Sequence, residues 1–374
     1  MNSRETLCLM ALTRVPRLSL ANMHSLMEAF GSAAAIYEHK GSLAEVLTAA
    51  RKPTLEALAA MDSHMARAEQ ELEWATRNGL QCLGINDEAY PRRMRECADA
   101  PVMLYYKGKA DLNARHVVAV VGTRHITEYG KDICLQFMRD LHVLCPDALV
   151  VSGLAYGVDI HAHRAALDEG NETVAVLAHG LDQIYPRMHR DTAARMLSQG
   201  GLLTEFMSGT NADKRNFVQR NRIVAGISDV TVVVESACKG GSLITAELAN
   251  GYDREVMAFP GRVADYCSEG CNQLIRANKA ALITSAADLM ELMGWESEPE
   301  RSRCLVQGIQ PELFPELTAE EQLVVKAMLG SDKVHLNLLA QDTALPIGKL
   351  SSILFGLEMK GIVRMLNGGM YRLA

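Results

Sequence analysis

Apolar positions over residues 1 to about 70 recur at helical spacing, as in "SLANMHSLMEAFGSAAAIYE", where Gly31–Ser32 ends one helix and caps the next. The pattern predicts a small all-helical module with no visible chemistry. From about residue 80 the periodicity changes. Apolar, largely β-branched runs appear at 117–122 (VVAVVG), 148–153 (ALVVSG) and 173–180 (TVAVLAHG), then at 201–206 (GLLTEF), 230–235 (VTVVVE) and 255–261 (EVMAFPG). Helical segments separate them. A strand apolar on both faces is one buried between two layers, so the alternation predicts a parallel sheet covered on both sides by helices. Four of the runs end in glycine, where the chain turns sharply into its next segment. In such sheets ligands gather beyond the carboxyl ends of the strands, which makes the polar residues there the first candidates for chemistry.

Residues 296–317, "WESEPERSRCLVQGIQPELFPEL" with its first residue, Trp295, have the proline and glutamate content of a linker. Beyond them the pattern reads helix, helix, helix and two short strands around Asn367, Gly368 and Gly369, the order of a winged helix. The expected organisation is a helical module at 1–70, an α/β domain at 71–295, a linker at 296–317 and a winged helix at 318–374.

Composition narrows the class. The chain has 374 residues, 48% apolar and 22% charged, an ordinary globular balance. No run approaches the ~18 uninterrupted apolar residues of a membrane span, and the N-terminus lacks a signal-peptide core, so a cytoplasmic location is the expectation. Nine cysteines are scattered without zinc spacing; reduced thiols are expected and no metal. A net charge of −7 argues against coating nucleic acid with the whole surface. Yet residues 185–225 hold seven Lys/Arg against three Asp/Glu, a local surplus of cations.

The candidate chemistry lies where strands end. Gly122, Thr123 and Arg124 follow the first run and suit a phosphate: glycine permits close approach, a helix start offers N–H groups, and arginine adds a bidentate donor. Ser152 and Gly153 repeat that logic, with Gly157, Asp159 and His163 opening a helix. His161 and His163 do not share a helical face and are read as polar contacts, not metal ligands. Arg187 and Arg190 have no partnered nucleophile or acid nearby in sequence and read as backbone-contact cations. The densest cluster is Lys214, Arg215, Phe217, Arg220, Asn221 and Arg222. Cations interleaved with an aromatic ring suit a single strand, with charge tracking phosphates and the ring either stacking on a base or packing in the core. Arg220 and Arg222 are expected to face phosphates, unless they pair with Glu205 or Glu235. Gly240, Gly241 and Ser242 open a further helix and were expected to form the opposite wall of the same pocket.

A nucleotide phosphoribohydrolase is the rival, since Gly240, Gly241, Thr245 and Glu247 stand in rough register with such a motif. The preceding proline is missing, and Leu243 occupies a glycine position. No nucleophile elbow, P-loop or HExxH accompanies these residues, so binding without catalysis is the expectation.

The ordered motifs "YPRRMRECADAPVMLYYKG", "VVGTR", "SGLAYGVDIHAH", "HGLDQIYP", "FVQRNRIVAGIS", "GGSLITAELA", "FPGRVADYCSEGCNQLI" and "LEMKGIVRMLNGGMYRL" resemble the DprA (DNA processing protein A, or Smf) family over nearly the whole chain. The resemblance implies an N-terminal helical domain of sterile-alpha-motif or helix-hairpin-helix type, an extended Rossmann-like domain and a winged helix. It implies a homodimer, without cofactor, that binds single-stranded DNA and loads RecA during natural transformation. Family DNA contacts would fall on Arg124, on Arg187 or Arg190, and on Arg215, Phe217, Arg220 and Arg222. Thr123 stands where the family often has serine, and Tyr156 where it often has arginine.

Overall fold

A computed structural model describes residues 3–43, 46–48, 52–295, 317–328, 334–343, 345–360, 362–366 and 370–373. The chain partitions into two compact units, residues 1–302 and 303–374.

The first unit begins with five helices: α1 (Ser3–Thr13), α2 (Leu20–Phe30), α3 (Ala33–Glu38), α4 (Lys52–Ala59) and α5 (Asp62–Arg77). The α2–α3 junction follows directly from its residues. Gly31 takes a left-handed φ of 74° to close α2, and the Ser32 hydroxyl accepts from the Ala35 N–H to open α3. Strand β1 (Gln81–Gly84), α6 (Arg92–Arg95) and β2 (Met103–Gly108) lead into the α/β succession. It runs β3 (His116–Val121), α7 (Glu128–Leu144), β4 (Ala148–Ser152), α8 (Val158–Glu169) and β5 (Thr173–Val176). It continues with α9 (Arg190–Gln199), β6 (Gly200–Thr204), α10 (Lys214–Gly226) and β7 (Val230–Val233). It closes with α11 (Gly241–Gly251), β8 (Glu255–Ala258), α12 (Glu269–Arg276), β9 (Ala281–Leu282) and α13 (Ala286–Met293).

All nine strands form one sheet in the order β1-β2-β6-β5-β4-β3-β7-β8-β9. The seven from β6 to β9 are parallel; β1 and β2 add an antiparallel edge. Strands β4, β5, β6 and β7 are buried throughout and β3 at all but its first residue, as continuous apolar runs require. Val117, Ala119 and Val121 of β3 face α10, α11 and the N-terminal helices, in one continuous core. Val118 and Val120 face α7, α8 and α13. From β3 the chain winds outward to β6, then crosses back through α10 to β7 and winds the other way. The reversal falls between β3 and β7, and in such sheets ligands bind outside the carboxyl ends at that point.

In the second unit, helices Ala319–Met328, Leu336–Thr343 and Ile347–Met359 surround a core of Val324, Leu339, Leu350, Leu354 and Leu357. Its antiparallel sheet has three strands, because Val334–His335 joins the expected pair Val363–Leu366 and Met370–Leu373. Most of the expected linker, residues 296–316, and the turn at 367–369 lie outside the described residues. Among the described residues no helix is long and apolar enough to cross a membrane.

One buried polar group makes the sheet acid-sensitive. His163 on α8 is fully buried, and its Nδ1–H donates to Thr173 Oγ1 at 2.7 Å, whose own hydroxyl donates to Val150 O. Its Nε2 has no partner among the described residues. Burial, followed by the charge of Arg220, pushes the imidazole down to about 3. A depressed histidine value means that the unfolded chain takes up a proton that the folded chain refuses. Stability is therefore complete above about 6.5 and falls as pH drops toward 3. Denaturant unfolding at pH 5 against pH 7 should show a loss of about 1–2 kcal/mol that His163→Asn reduces.

Candidate nucleic-acid interface

Helix α10 brings the chemistry to the carboxyl edge. It starts after β6 and returns toward β7, so Lys214, Arg215 and Phe217 in its first turns stand over the ends of the strands. Phe217 is half-buried and outside the hydrophobic core. Its ring lies 5.2 Å from the Arg124 guanidinium, 6.0 Å from that of Arg220 and 5.9 Å from the Tyr185 ring. Two guanidinium groups within about 6 Å of one ring centroid make a cation–π arrangement. Tyr185 is 48% exposed.

Beneath Phe217 lies Arg220, only 4% exposed. Three residues further along the helix, it shares Phe217's face and points under the edge. Its Nη1 donates to Val176 O at 2.6 Å, while Nε has no partner among the described residues. The guanidinium packs onto Gly153 so closely that a Cβ there would sit 1.9 Å from Nη1. Asp159, buried in the first turn of α8, accepts from Gly153 N at 3.2 Å and from Ala155 N at 3.4 Å. Burial pushes the Asp159 carboxyl up, and Arg220 opposes that shift. Burial lowers Arg220 from its ordinary range, with Asp159 opposing and Arg124 adding to the effect. The edge thus holds a buried cation below an exposed one.

The β3 turn is built from close approaches. Thr123 N donates to Glu235 O at 2.7 Å, and its carbonyl accepts from Val158 N. Gly157 has a left-handed φ of 76°, and a Cβ there would lie 2.1 Å from Thr123 O. Gly122 packs against Val158 in the same way. The Thr123 amide is therefore committed, and the exposed Arg124 side chain is what this turn offers. Tyr156, standing where the family often has arginine, is exposed beside His189 at 5.3 Å between rings.

Arg187 and Arg190 are exposed and line a separate cavity of about 560 Å³ with Leu181, Asp182, Gln183 and Ile184. Neither they nor Arg124, Lys214 and Arg215 take part in an ion pair among the described residues. The loop 205–213 joins this cavity to the Phe217 group. Asp182 Oδ1 accepts from Gly209 N at 3.0 Å, and Gln183 donates to Thr210 O at 2.9 Å. His179 Nε2 accepts from Tyr185 N at 3.2 Å. From the helical side, the buried Glu71 of α5 accepts from Ser208 N at 2.8 Å, from Ser208 Oγ at 2.5 Å and from Arg67 at 2.7 Å.

Three expectations are corrected. Arg222 does not face a phosphate: it is buried, paired with Glu205 and bonded to Asp99 O. Residues two apart on a helix point to nearly opposite sides, so Arg220 and Arg222 cannot share a site. Asn221 sits half-buried between them. Ser152 is fully buried and donates to Val120 O at 2.6 Å, so its hydroxyl serves the sheet. The Ser242 hydroxyl donates to Ser236 Oγ at 2.8 Å. Gly241 is exposed at the start of α11, but no contact among the described residues joins that turn to Phe217. Glu235 holds Thr127 rather than an arginine. Tyr185 was missed in the sequence; its sole signal was an aromatic next to proline amid cations.

A mainly parallel sheet wound in both directions from its centre, with helices on both faces, defines a doubly wound α/β protein. The profile of the family described as DNA recombination-mediator protein A matches residues 81–294, and that of the DprA winged helix domain matches residues 310–369. The chain belongs to this DNA processing family, DprA or Smf. It is 33% identical to the Smf protein of Escherichia coli K12, over 82% of this chain and 80% of that protein. It is 36% identical to DprA of Streptococcus pneumoniae, over 61% and 77% respectively. The crystal structure of S. pneumoniae DprA superposes with a TM-score of 0.67 at 30% identity, covering 80% of this chain and 99% of that one. A Helicobacter pylori DprA, solved for its single-stranded DNA binding mode, gives 0.53 at 29% identity, covering 59% and 97%.

Two outcomes follow from the packing. Gly153→Ala should destabilise by roughly 1–3 kcal/mol in denaturant unfolding, yet cost far less when Arg220→Ala has already removed the clash. Additive costs would contradict this contact. Glu71→Ala, which strands the Ser208 donors, should cost about 2 kcal/mol and lower the Tm by about 5 °C in a thermal melt.

Proposed function

We propose that the protein is a non-enzymatic single-stranded DNA-binding mediator that grips the strand at the carboxyl edge of its sheet. The observation that carries this reading is the Phe217 ring, held between the Arg124 and Arg220 guanidinium groups with Tyr185 alongside. Rings in this setting stack on bases of any identity, and the free cations Lys214, Arg215, Arg187 and Arg190 extend a phosphate track. Arg124 would contact phosphate directly. Arg220 acts from below, holding the turn and raising the local potential. Contacts of this kind position a strand without reading its sequence. A single-stranded DNA binding mode in the H. pylori relative supports the reading. Transfer of the strand to RecA, and action as a homodimer during natural transformation, complete the proposal; the family's description as a recombination mediator supports the first of these.

The hydrolase reading finds no support in the position of Glu247. Its carboxylate is exposed on α11 and accepts from Lys279 at 3.2 Å, away from the Phe217 group. In the winged-helix unit, Lys349 pairs with Glu320 and Lys360 with Glu321. Cations neutralised in this way make a poor duplex footprint, so we assign that unit an accessory role.

Fluorescence anisotropy with oligo-dT tests the assignment. Arg124→Ala and Phe217→Ala should each weaken binding by about tenfold or more, and log affinity should fall against log salt with a slope near roughly −3, as about four phosphate contacts require. Salt-independent binding, or full affinity in both variants, would remove the site.

A further inference from the structure

We infer that the bound strand continues past Arg124 onto a second aromatic station formed by Tyr129, Tyr266 and Arg262. This inference rests on the single-strand reading above and concerns the opposite end of the same edge.

The loop between β8 and α12, residues 259–268, lies beside the β3 turn: Cys267 Sγ approaches His125 O at 3.8 Å, one residue beyond Arg124. Tyr129, in the first turn of α7, donates its hydroxyl to Pro260 O at 2.9 Å. With that hydroxyl engaged, the ring is the part it offers to solvent, and it is 49% exposed. Tyr266 is 67% exposed with no hydrogen bond or ion pair among the described residues, and Val263 of the same loop is 93% exposed. Between α7 and the loop opens a cavity of about 690 Å³, lined by Thr127, Tyr129, Pro260, Gly261 and Arg262. Its floor is firm, because Thr127 donates to Glu235 from both its amide and its hydroxyl, at 2.9 and 2.5 Å.

Arg262 brings a guanidinium to the lining of this cavity. Glu128 and Asp265 also line it, but Glu128 is paired with Lys131 at 2.6 Å, and Asp265 accepts from Cys267 N at 3.2 Å. Arg262 is exposed and in no ion pair among the described residues. Exposed rings beside a free guanidinium recreate, on the far side of Arg124, the combination that Phe217 and its cations form on the near side. Duplex DNA keeps its bases stacked internally and cannot use such rings, whereas a single strand can. The occupant that fits exposed rings beside a guanidinium is the continuation of the strand held at Phe217.

The test uses the full chain and two labelled oligo-dT lengths, about 6 and about 16 nucleotides, spanning the usual size of one single-strand site. Tyr266→Ala should weaken the longer oligonucleotide by about tenfold and leave the shorter one unchanged, with Tyr266→Phe restoring affinity. Arg262→Ala should also flatten the salt slope of the longer one by about 0.7. Unaltered binding of the longer oligonucleotide in these variants overturns the inference while leaving the Phe217 site intact. So does self-association of the wild type that Tyr266→Ala abolishes without changing DNA affinity, which would make the patch a contact between two copies. If the wild type binds neither length, the single-strand reading itself fails.

Discussion

The burial of the Arg220 charge governs the carboxyl edge. Removing a guanidinium from water costs several kcal/mol unless acceptors replace its hydration. Here Val176 O accepts directly, and the buried Asp159 carboxylate supplies the opposing charge. Much of the neighbouring geometry serves that arrangement. Residue 153 has no side chain because the guanidinium lies against its Cα, and Asp159 is oriented by the amides of Gly153 and Ala155. The same helical turn that sends Arg220 inward leaves Phe217 at the rim, opposite Arg124. A buried cation below and an exposed one above give the ring its electrostatic setting.

Loop 205–213 distributes that geometry through the first unit. It is bonded by α5 through Glu71, by the 179–185 segment through Asp182 and Gln183, and it leads directly into α10. The two aromatic residues of the site, Tyr185 and Phe217, belong to the two segments that this loop holds together. The N-terminal helices share a core with the sheet, so they act on the site as support without contributing a residue to it.

Much of this was legible in the sequence. Strands buried on both faces must be apolar throughout, so β3, β4, β5 and β7 announced themselves, as did the Gly31–Ser32 junction. Arg124 and Phe217 were legible as a cation and a ring at strand ends, and the structure brings the two side chains together. The error at Arg222 came from reading 220–222 as a linear triplet. On a helix the informative spacing is three, which pairs Phe217 with Arg220 and sets Arg222 on the side of Glu205. Ser152 and Ser242 were misread because a hydroxyl after a strand satisfies a backbone or a neighbouring serine as readily as a ligand, and spacing does not distinguish the two. Tyr185 depends on contacts with His179 and Phe217, which are remote in sequence.

Gly153 and Arg220 also constrain how the chain can change over time. A larger residue at 153 has to displace the guanidinium while the arginine stays, and loss of the arginine removes that contact. The two sites, on different elements and far apart in the chain, are bound to a joint history. A descendant in which both had drifted would have exchanged a charged floor for an apolar one.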